Sequence, residues 1–404
     1  MTKSMLNLFL GLMKVKINKN WKDVIMKKQY KVGSLFAGVG GICLGFMNAQ
    51  NPDAEYVMSW ANEIDEFACE TYRTNFKHTL LEGDINMVLH PENSDDVDYY
   101  SQLHEKILAE PIDILNGGFP CQAFSIAGEQ KGFDDERGNL FMSFIDLISQ
   151  LDAKFGKKPR ILFLENVKNL KAHDKGRTYQ VIKSKLEASG YIIKESVLNT
   201  MLYSDLPQNR ERIYIIGFLN KEDADQFTMF DNLTSFQKKK GTEERAEDVK
   251  KIIDYSVEDK SYFYTRERYP HYFVTEEEFK ELEGEKNIRI NLTEAITEMY
   301  QFYQLRRGQY VRKNQSDVCP TLTANMGTGG HNVPLILTPN GIRKLTPAET
   351  FKLQGFPVGN GYCLPTTYKG KAYGNSHLYK QAGNAVSVPV ITLIAEEILK
   401  IISK

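Results

Sequence analysis

The chain has 404 residues, enough for one large domain and a second, smaller one. Its apolar share of 42%, charged share of 25% and net charge of −1 are ordinary for a globular protein and exclude a chain-wide basic bias, so a nucleic-acid surface would need local segregation of charge. Five widely spaced cysteines, Cys43, Cys69, Cys121, Cys319 and Cys363, with no CxxC pair, suggest neither a disulfide framework nor a zinc site and fit a reducing compartment.

The first apolar run, Met5 to Met13, is followed by Lys14, Lys16 and Lys19 without a small-residue cleavage site. It is too short to span a membrane. Residues 1–30 are therefore expected to be an N-terminal extension. Val32 to Ala37 has the pattern of a first strand, and it ends in Gly38-Val39-Gly40-Gly41 before a helix opens at Ile42. Tyr56 to Trp60 is a second strand, followed by Asn62-Glu63 and an amphipathic helix from Ile64 to Phe76. Gly83-Asp84-Ile85 closes a third short element. Ile112 to Leu115 predicts a buried strand ending in Asn116 and the pair Gly117-Gly118. Phe141 to Leu151 and Tyr179 to Ala188 predict helices. Arg160 to Leu164 is a strand ending in Glu165-Asn166-Val167, and Tyr191 to Leu198 and Arg212 to Phe218 are further strands. This alternation is the signature of an α/β protein with a doubly wound, mostly parallel sheet.

After about residue 220 the alternation stops. Lys221 to Lys251, with Lys238-Lys239-Lys240, has the composition of surface or linker. Residues 262–340 are rich in Tyr, Arg, Thr, Asn and Gly and carry only short strand-like runs. Helical periodicity returns in Thr346 to Leu353, and Val386 to Ile402 predicts a final amphipathic helix.

Chemistry gathers at the strand ends. A glycine turn between strand and helix presents N–H groups to a ligand. Gly38 and Gly40 match a dinucleotide fingerprint, but Cys43 stands at its third glycine, which weakens an oxidoreductase reading. Glu63 is placed to take ribose hydroxyls, Asp84 to accept from an adenine amine, and Phe36 to stack on a flat ring. The competing reading is that both carboxylates cap helices. Three such stations on successive strands favour a nucleoside ligand. Cys121 lies in Gly117-Gly118-Phe119-Pro120-Cys121-Gln122-Ala123-Phe124-Ser125. Pro120 fixes φ before it, and the glycines allow close approach. A lone cysteine is more often buried and inert, so a reactive role needs partners elsewhere in the chain.

Six segments in one order supply them: Phe36 to Gly41, Gly118 to Ser125, Glu165-Asn166-Val167, Gln208-Asn209-Arg210-Glu211-Arg212, Arg343 to Glu349, and Gln381 to Val386. Together they resemble the DNA cytosine-C5 methyltransferases of bacterial restriction–modification systems, from about residue 32 to the C-terminus. The resemblance implies a Rossmann-like catalytic domain from residues 31–220 and 375–404, with a smaller, irregular β-rich target-recognition domain and hinge in 221–374. It implies S-adenosyl-L-methionine as methyl donor, no metal, and a cytosine flipped out of double-stranded DNA. By the same resemblance Cys121 is the nucleophile, Glu165 the acid at N3, and Arg212, with Arg210 beside it, the holder of the base carbonyl. Donor contacts carry over to Phe36, Gly38, Gly40, Gly41, Glu63, Ile64, Asp84, Ile85, Pro120, Leu140, Asn384 and Val386, with the closing helix starting at Asn384. The segment after Cys121 has glycines at Gly128, Gly132 and Gly138, the pattern of a mobile lid over the flipped base. Ala127 stands there where some relatives carry serine. DNA contacts are expected from Ser125, Arg137, Arg306, Arg307, Arg312, Thr321, Thr323 and Gly329. Cations, glycines and small polar side chains there suit phosphate and groove contacts. The implied setting is a cytoplasmic monomer, off the membrane, sharing its site with a restriction endonuclease but no stable complex. Two other readings stand beside this one. An RNA cytosine methyltransferase of the same family is disfavoured by the long basic-aromatic insert. A binding-only regulator is disfavoured by intact Cys121, Glu165 and Arg212.

Overall fold

The structure is a computed structural model that describes residues 27–119, 139–281, 288–306, 308–326 and 333–404. Its large sheet is built from β1 (Lys28–Leu35), β2 (Ala54–Glu63), β3 (Thr79–Glu82), β4 (Ile114–Gly117), β5 (Ile161–Val167), β6 (Ile192–Asn199) and β7 (Glu211–Phe218). The strand order is β3-β2-β1-β4-β5-β7-β6. β1 pairs in parallel with both β2 and β4, and β7 runs antiparallel to β5 and β6. The doubly wound, mostly parallel sheet is thus present, with one reversed strand. The order changes direction between β1 and β4, and an open α/β sheet has its crevice outside the carboxyl ends at such a point.

Two apolar layers cover the sheet. One face carries α1 (Gly41–Asn48) and α2 (Glu66–Asn75); the other carries α3 (Ile85–Leu89), α4 (Val97–Ile107), α5 (Asn139–Phe155) and α6 (Arg177–Ala188). The apolar runs of the central strands are buried on both sides, as parallel strands require. The chain then returns to its beginning. The closing helix buries Val388, Ile391, Ile394 and Ile398 in the same core as Ile42 and Phe46. A side chain at Gly45 would meet Ile391 at 2.5 Å, so the two helices approach through that glycine.

Several expectations change in detail. β4 runs on through Asn116 and Gly117, because Ser34 and Leu35 still pair with them. β5 likewise includes Glu165-Asn166-Val167, held by the reversed strand from Tyr214 to Arg212. The charged stretch after residue 220 is not a free linker. Its helices α7 (Lys221–Gln226) and α8 (Thr242–Ile252) bury Ala224 and Val249. Asp223 takes two 2.7 Å bonds from Arg160, and the Phe227 ring lies 5.2 Å from that of Phe218. Asp223 and Asp248 are buried, and most of the other charges of the stretch are exposed.

A second sheet, antiparallel, is built from β8 (Tyr303–Arg306), β9 (Tyr310–Lys313), β10 (Val333–Thr338) and β11 (Gly341–Lys344). Leu292, Tyr303, Leu305, Val333 and Leu335 give it a small core. Beyond it, Thr346 caps α9 (Pro347–Lys352) in a reciprocal box with Glu349, whose carboxylate also pairs with buried Arg343 at 2.7 Å. α10 (Asn375–Asn384) precedes the closing helix α11 (Val388–Ile402). The closing helix therefore does not start at Asn384, which ends α10. Ala385 turns out in extended conformation, and Pro389 fits the first turn of α11, where a missing N–H costs nothing.

Candidate active site

The carboxyl ends of β1, β2, β4 and β5 surround a cleft of about 920 Å³. Its first wall is the glycine turn. Phe36 leaves β1 with φ 54°, a conformation L side chains avoid, and Gly38 and Gly40 follow at 55° and 83°. The glycines differ in surroundings. A Cβ on Gly40 would strike the Phe76 ring at 2.2 Å, and one on Gly41 the Val386 methyl at 2.8 Å. Gly38 has nothing within 4 Å and faces open space.

Glu63 fastens this turn to the end of β2. Its Oε2 accepts from Gly38 N at 2.7 Å, and its Oε1 accepts from Ile64 N at 2.9 Å and Asp65 N at 2.8 Å. Burial pushes its carboxyl up, and the three N–H donors oppose that rise. Glu63 is not a helix cap; Asp65 caps α2 through Phe67 N and Ala68 N. Asp84 does cap α3, through Asn86 N at 2.9 Å, and it lines the cleft as well. Phe36, Ile64, Ile85, Leu140, Asn384 and Val386 complete this end. Ile64 is 64% exposed, an apolar side chain turned toward a space that a ring would cover. Two carboxylates with lone pairs to spare, an open glycine and two apolar flanks fit an adenine nucleoside.

The opposite end holds an ion pair. Glu165 lies opposite Tyr214 in the ladder and Arg212 two residues along, so both side chains share one face of the sheet. Arg212 Nε is 3.1 Å from Glu165 Oε1, without a well-directed hydrogen bond between them. Glu165 is buried, and burial raises its carboxyl above the ordinary range while Arg212 and Arg210 pull it back. Gly118 passes close by, with its Cβ position 3.3 Å from Glu165 Oε2. Asn166 fixes that passage by donating from Nδ2 to the Phe119 carbonyl at 2.9 Å. Phe119 is the last described residue before Cys121. Pro120, Cys121, Ser125, Arg137, Arg307 and Gly329 lie outside the described residues.

Arg210, expected to act beside Arg212, lines the same cleft but is held differently. Its side chain is 1% exposed and its fork is already engaged: Nη1 donates to Leu322 O at 3.0 Å, Nη2 to Gly383 O at 3.2 Å and Ala385 O at 2.5 Å. Burial lowers its pKa to about 9. Three main-chain carbonyls converge on its guanidinium. On the second sheet, Arg306 and Arg312 sit on neighbouring strands and both reach Gln304 Oε1, at 3.5 and 3.4 Å. Thr321 donates its hydroxyl to Asn209 O at 2.7 Å, and Thr323 donates to Asn325 Oδ1 at 2.8 Å. Sequence reasoning assigned no role to Asn166 or Gln208, although both stand inside the motifs. Gln208 ties Leu353 O, Gln354 and Leu322 N together. Thr200, which binds Arg210 O and Ser387, had no sequence signal at all. Among the described residues no acidic, His or Cys cluster could hold a metal, and no helix is long and apolar enough to cross a membrane.

A seven-stranded, mostly parallel sheet with one reversed strand, and a cleft at its switch point, have the Rossmann-like fold of the methyltransferases. Within that class, a family model for C-5 cytosine-specific DNA methylase matches residues 30–400, and the chain belongs to this family. It is 43% identical over 372 residues to the Type II methyltransferase M.Bsp6I of Bacillus sp. (strain RFL6), covering 92% of this chain and 98% of that one. It is 33% identical over 381 residues to M1.ScrFI of Lactococcus lactis subsp. cremoris, covering 93% and 79%. Among solved structures, the Entamoeba histolytica methyltransferase EhMeth superposes with a TM-score of 0.59 at 17% identity, over 93% of this chain and 99% of that one. The S. pombe Dnmt2 methyltransferase does so at 0.57 and 16%, over 92% and 99%. These two likenesses show the fold. Family and fold together imply S-adenosylmethionine as the methyl donor.

Proposed function

We propose that this protein is the sequence-specific DNA cytosine-C5 methyltransferase of a Type II restriction–modification system, methylating duplex DNA against a separate endonuclease. The kinship with Type II methyltransferases supports the biological setting. The observation that carries the chemistry is the Glu165–Arg212 pair, buried beside the Gly118-Phe119 segment that leads directly to Cys121.

Carbon 5 of cytosine becomes nucleophilic only after addition at C6. A thiolate suits that task because it adds readily and leaves again. In this reading Cys121 adds to C6, and the displaced electron pair moves to N3. Glu165, whose carboxyl burial raises above its ordinary range, supplies the proton or hydrogen bond that N3 then needs. Arg212 holds Glu165 in place and faces the base carbonyl. S-adenosylmethionine, when bound, supplies the electrophilic methyl group. Phe36 and Ile64 would flank its adenine, Glu63 would take its ribose hydroxyls, Asp84 its amine, and the Asn384–Val386 corner its amino-acid end. Carbon 5 takes the methyl group from the sulfonium, a water removes the C5 proton, and Cys121 departs by β-elimination. Ser125, Arg137, Arg306, Arg307, Arg312, Thr321, Thr323 and Gly329 are proposed for the DNA. The catalytic unit is proposed to come from both chain ends, and the protein to act as a cytoplasmic monomer.

The test is methyl incorporation from labelled S-adenosylmethionine into duplex DNA and into tRNA, followed by bisulfite sequencing of DNA from expressing cells. Incorporation into DNA, at one recurring sequence, is expected. Incorporation into tRNA alone, or into neither, would sink the reading.

A further inference from the structure

Arg210 is the junction of three segments far apart in sequence. Its own main chain is fixed by Asn199 and Thr200, with Thr200 N donating to Arg210 O at 2.9 Å and Asn199 Oδ1 accepting from Arg210 N at 3.2 Å. Its guanidinium then bridges Leu322 O on the recognition side and Gly383 O with Ala385 O on the donor side. These two sides also touch directly: a Cβ on Gly383 would meet the Thr323 and Ala324 main chain at 2.2 and 2.3 Å. The donor side continues to the glycine turn, where Val386 packs on Gly41. The recognition side continues to Thr321, which is bonded to Asn209 next to Arg210 in the chain.

From this geometry we propose that Arg210 is a positioning residue that couples DNA binding to methyl-donor binding, rather than a group that touches the base. The proposal rests on the reading of the cleft as the donor site. A planar, always charged fork can span carbonyls on two sides; an ammonium on a flexible stem cannot hold both. A shift of Leu322 on DNA binding must either carry the Gly383–Ala385 corner with it or strand a buried charge, which is costly. The corner and the recognition segment therefore move as one body, and each ligand favours the arrangement that suits the other. Such coupling is reciprocal.

The experiment uses the full chain and S-adenosylhomocysteine as a non-reacting probe. Its dissociation constant is measured by calorimetry with and without a duplex carrying the methylated site. DNA is expected to tighten the wild-type complex by about tenfold, within the usual range of coupling between sites. In Arg210→Met that factor is expected to fall to near one, with the donor KM rising more than kcat falls. Arg210→Lys keeps the charge and is expected to lose the coupling equally. Thermal melting identifies which variants are folded, and if Arg210→Met is not, Arg210→Lys decides. A folded variant that keeps the wild-type factor while kcat collapses overturns the proposal. A wild type without coupling overturns it too, and leaves the methyl-transfer reading to its own turnover assay.

Discussion

Replacing Glu165 by Gln keeps the side-chain shape and removes both the charge and the transferable proton. Two separable losses are expected. The first is stability. The neutral carboxyl is the form the fold favours, so the loss is that of a buried polar group's interactions, about 1–3 kcal/mol. Arg212 keeps its 2.8 Å bond to Glu211 O, so the low end, about 1 kcal/mol, applies. The second is rate. A positioned general acid contributes about 10²–10⁴-fold, or about 3–5 kcal/mol of barrier. The two are told apart by single-turnover methyl incorporation at saturating donor and duplex, with melting temperature measured alongside. The pH profile adds an independent mark. The raised carboxyl is active when protonated, so wild-type rate falls as pH rises through its folded-state pKa, and Glu165→Gln lacks that alkaline limb. Stability carries the same sign. What the neutral carboxyl contributes is fully present below the ordinary glutamate range and is lost as pH rises through the raised value. Wild type therefore loses ground to the variant in alkaline melts. Turnover of the variant within tenfold of wild type, or an alkaline limb that survives, refutes the acid role.

Cys121→Ala is expected to abolish methyl transfer while leaving duplex binding intact; retained incorporation of tritiated methyl groups would remove Cys121 from the mechanism. Gly38→Ala and Gly40→Ala are expected to fail differently. At Gly38 the positive φ costs about 1–2 kcal/mol, but the methyl enters open cleft, so donor affinity should drop more than tenfold with a small change in melting. At Gly40 the Phe76 ring leaves no room, and the main effect should be a loss of about 3 kcal/mol of stability in denaturant titration. Equal effects at the two positions would contradict the assignment of Gly38 to the ligand face. Asn166→Ala should lower kcat by about tenfold or more, the cost of releasing the buried Phe119 carbonyl, with donor affinity unchanged in calorimetry. An unchanged kcat would show that Asn166 does not set the approach to Cys121.

The parts legible in the sequence were those whose chemistry demands a particular side chain. Glu63 and Asp84 were legible because strand ends in a doubly wound sheet converge on one crevice, Glu165 and Arg212 because their motifs resemble those of the cytosine-C5 methyltransferases, and the structure places all four around one cleft. Strand limits were less legible. β4 and β5 run past their apolar residues because neighbouring strands, not their own side chains, hold Asn116-Gly117 and Asn166-Val167 in the ladder. In the charged stretch after residue 220 the surface reading fits the exposed charges and the linker reading does not fit, for a related reason. Ala224, Phe227, Met229 and Val249 are diluted by surface charge, yet each lands in the core.

Arg210 shows the deeper limit. Arg210 and Arg212 stand in one motif and are identical in side chain, and neither composition nor spacing separates their tasks. The separation is made by partners. Arg212 meets a carboxylate, which a sequence can reveal, whereas Arg210 meets the carbonyls of Leu322, Gly383 and Ala385, which every residue possesses. A main-chain acceptor leaves no trace in residue identity. Only the small residues that let the segments close, Gly383 above all, mark where such a junction lies. A buried arginine facing a glycine-bearing turn from a remote segment is therefore a better sign of a brace than of a substrate contact. By that criterion the two arginines of the motif divide: one meets a carboxylate in the cleft, and the other joins the main chains of remote segments.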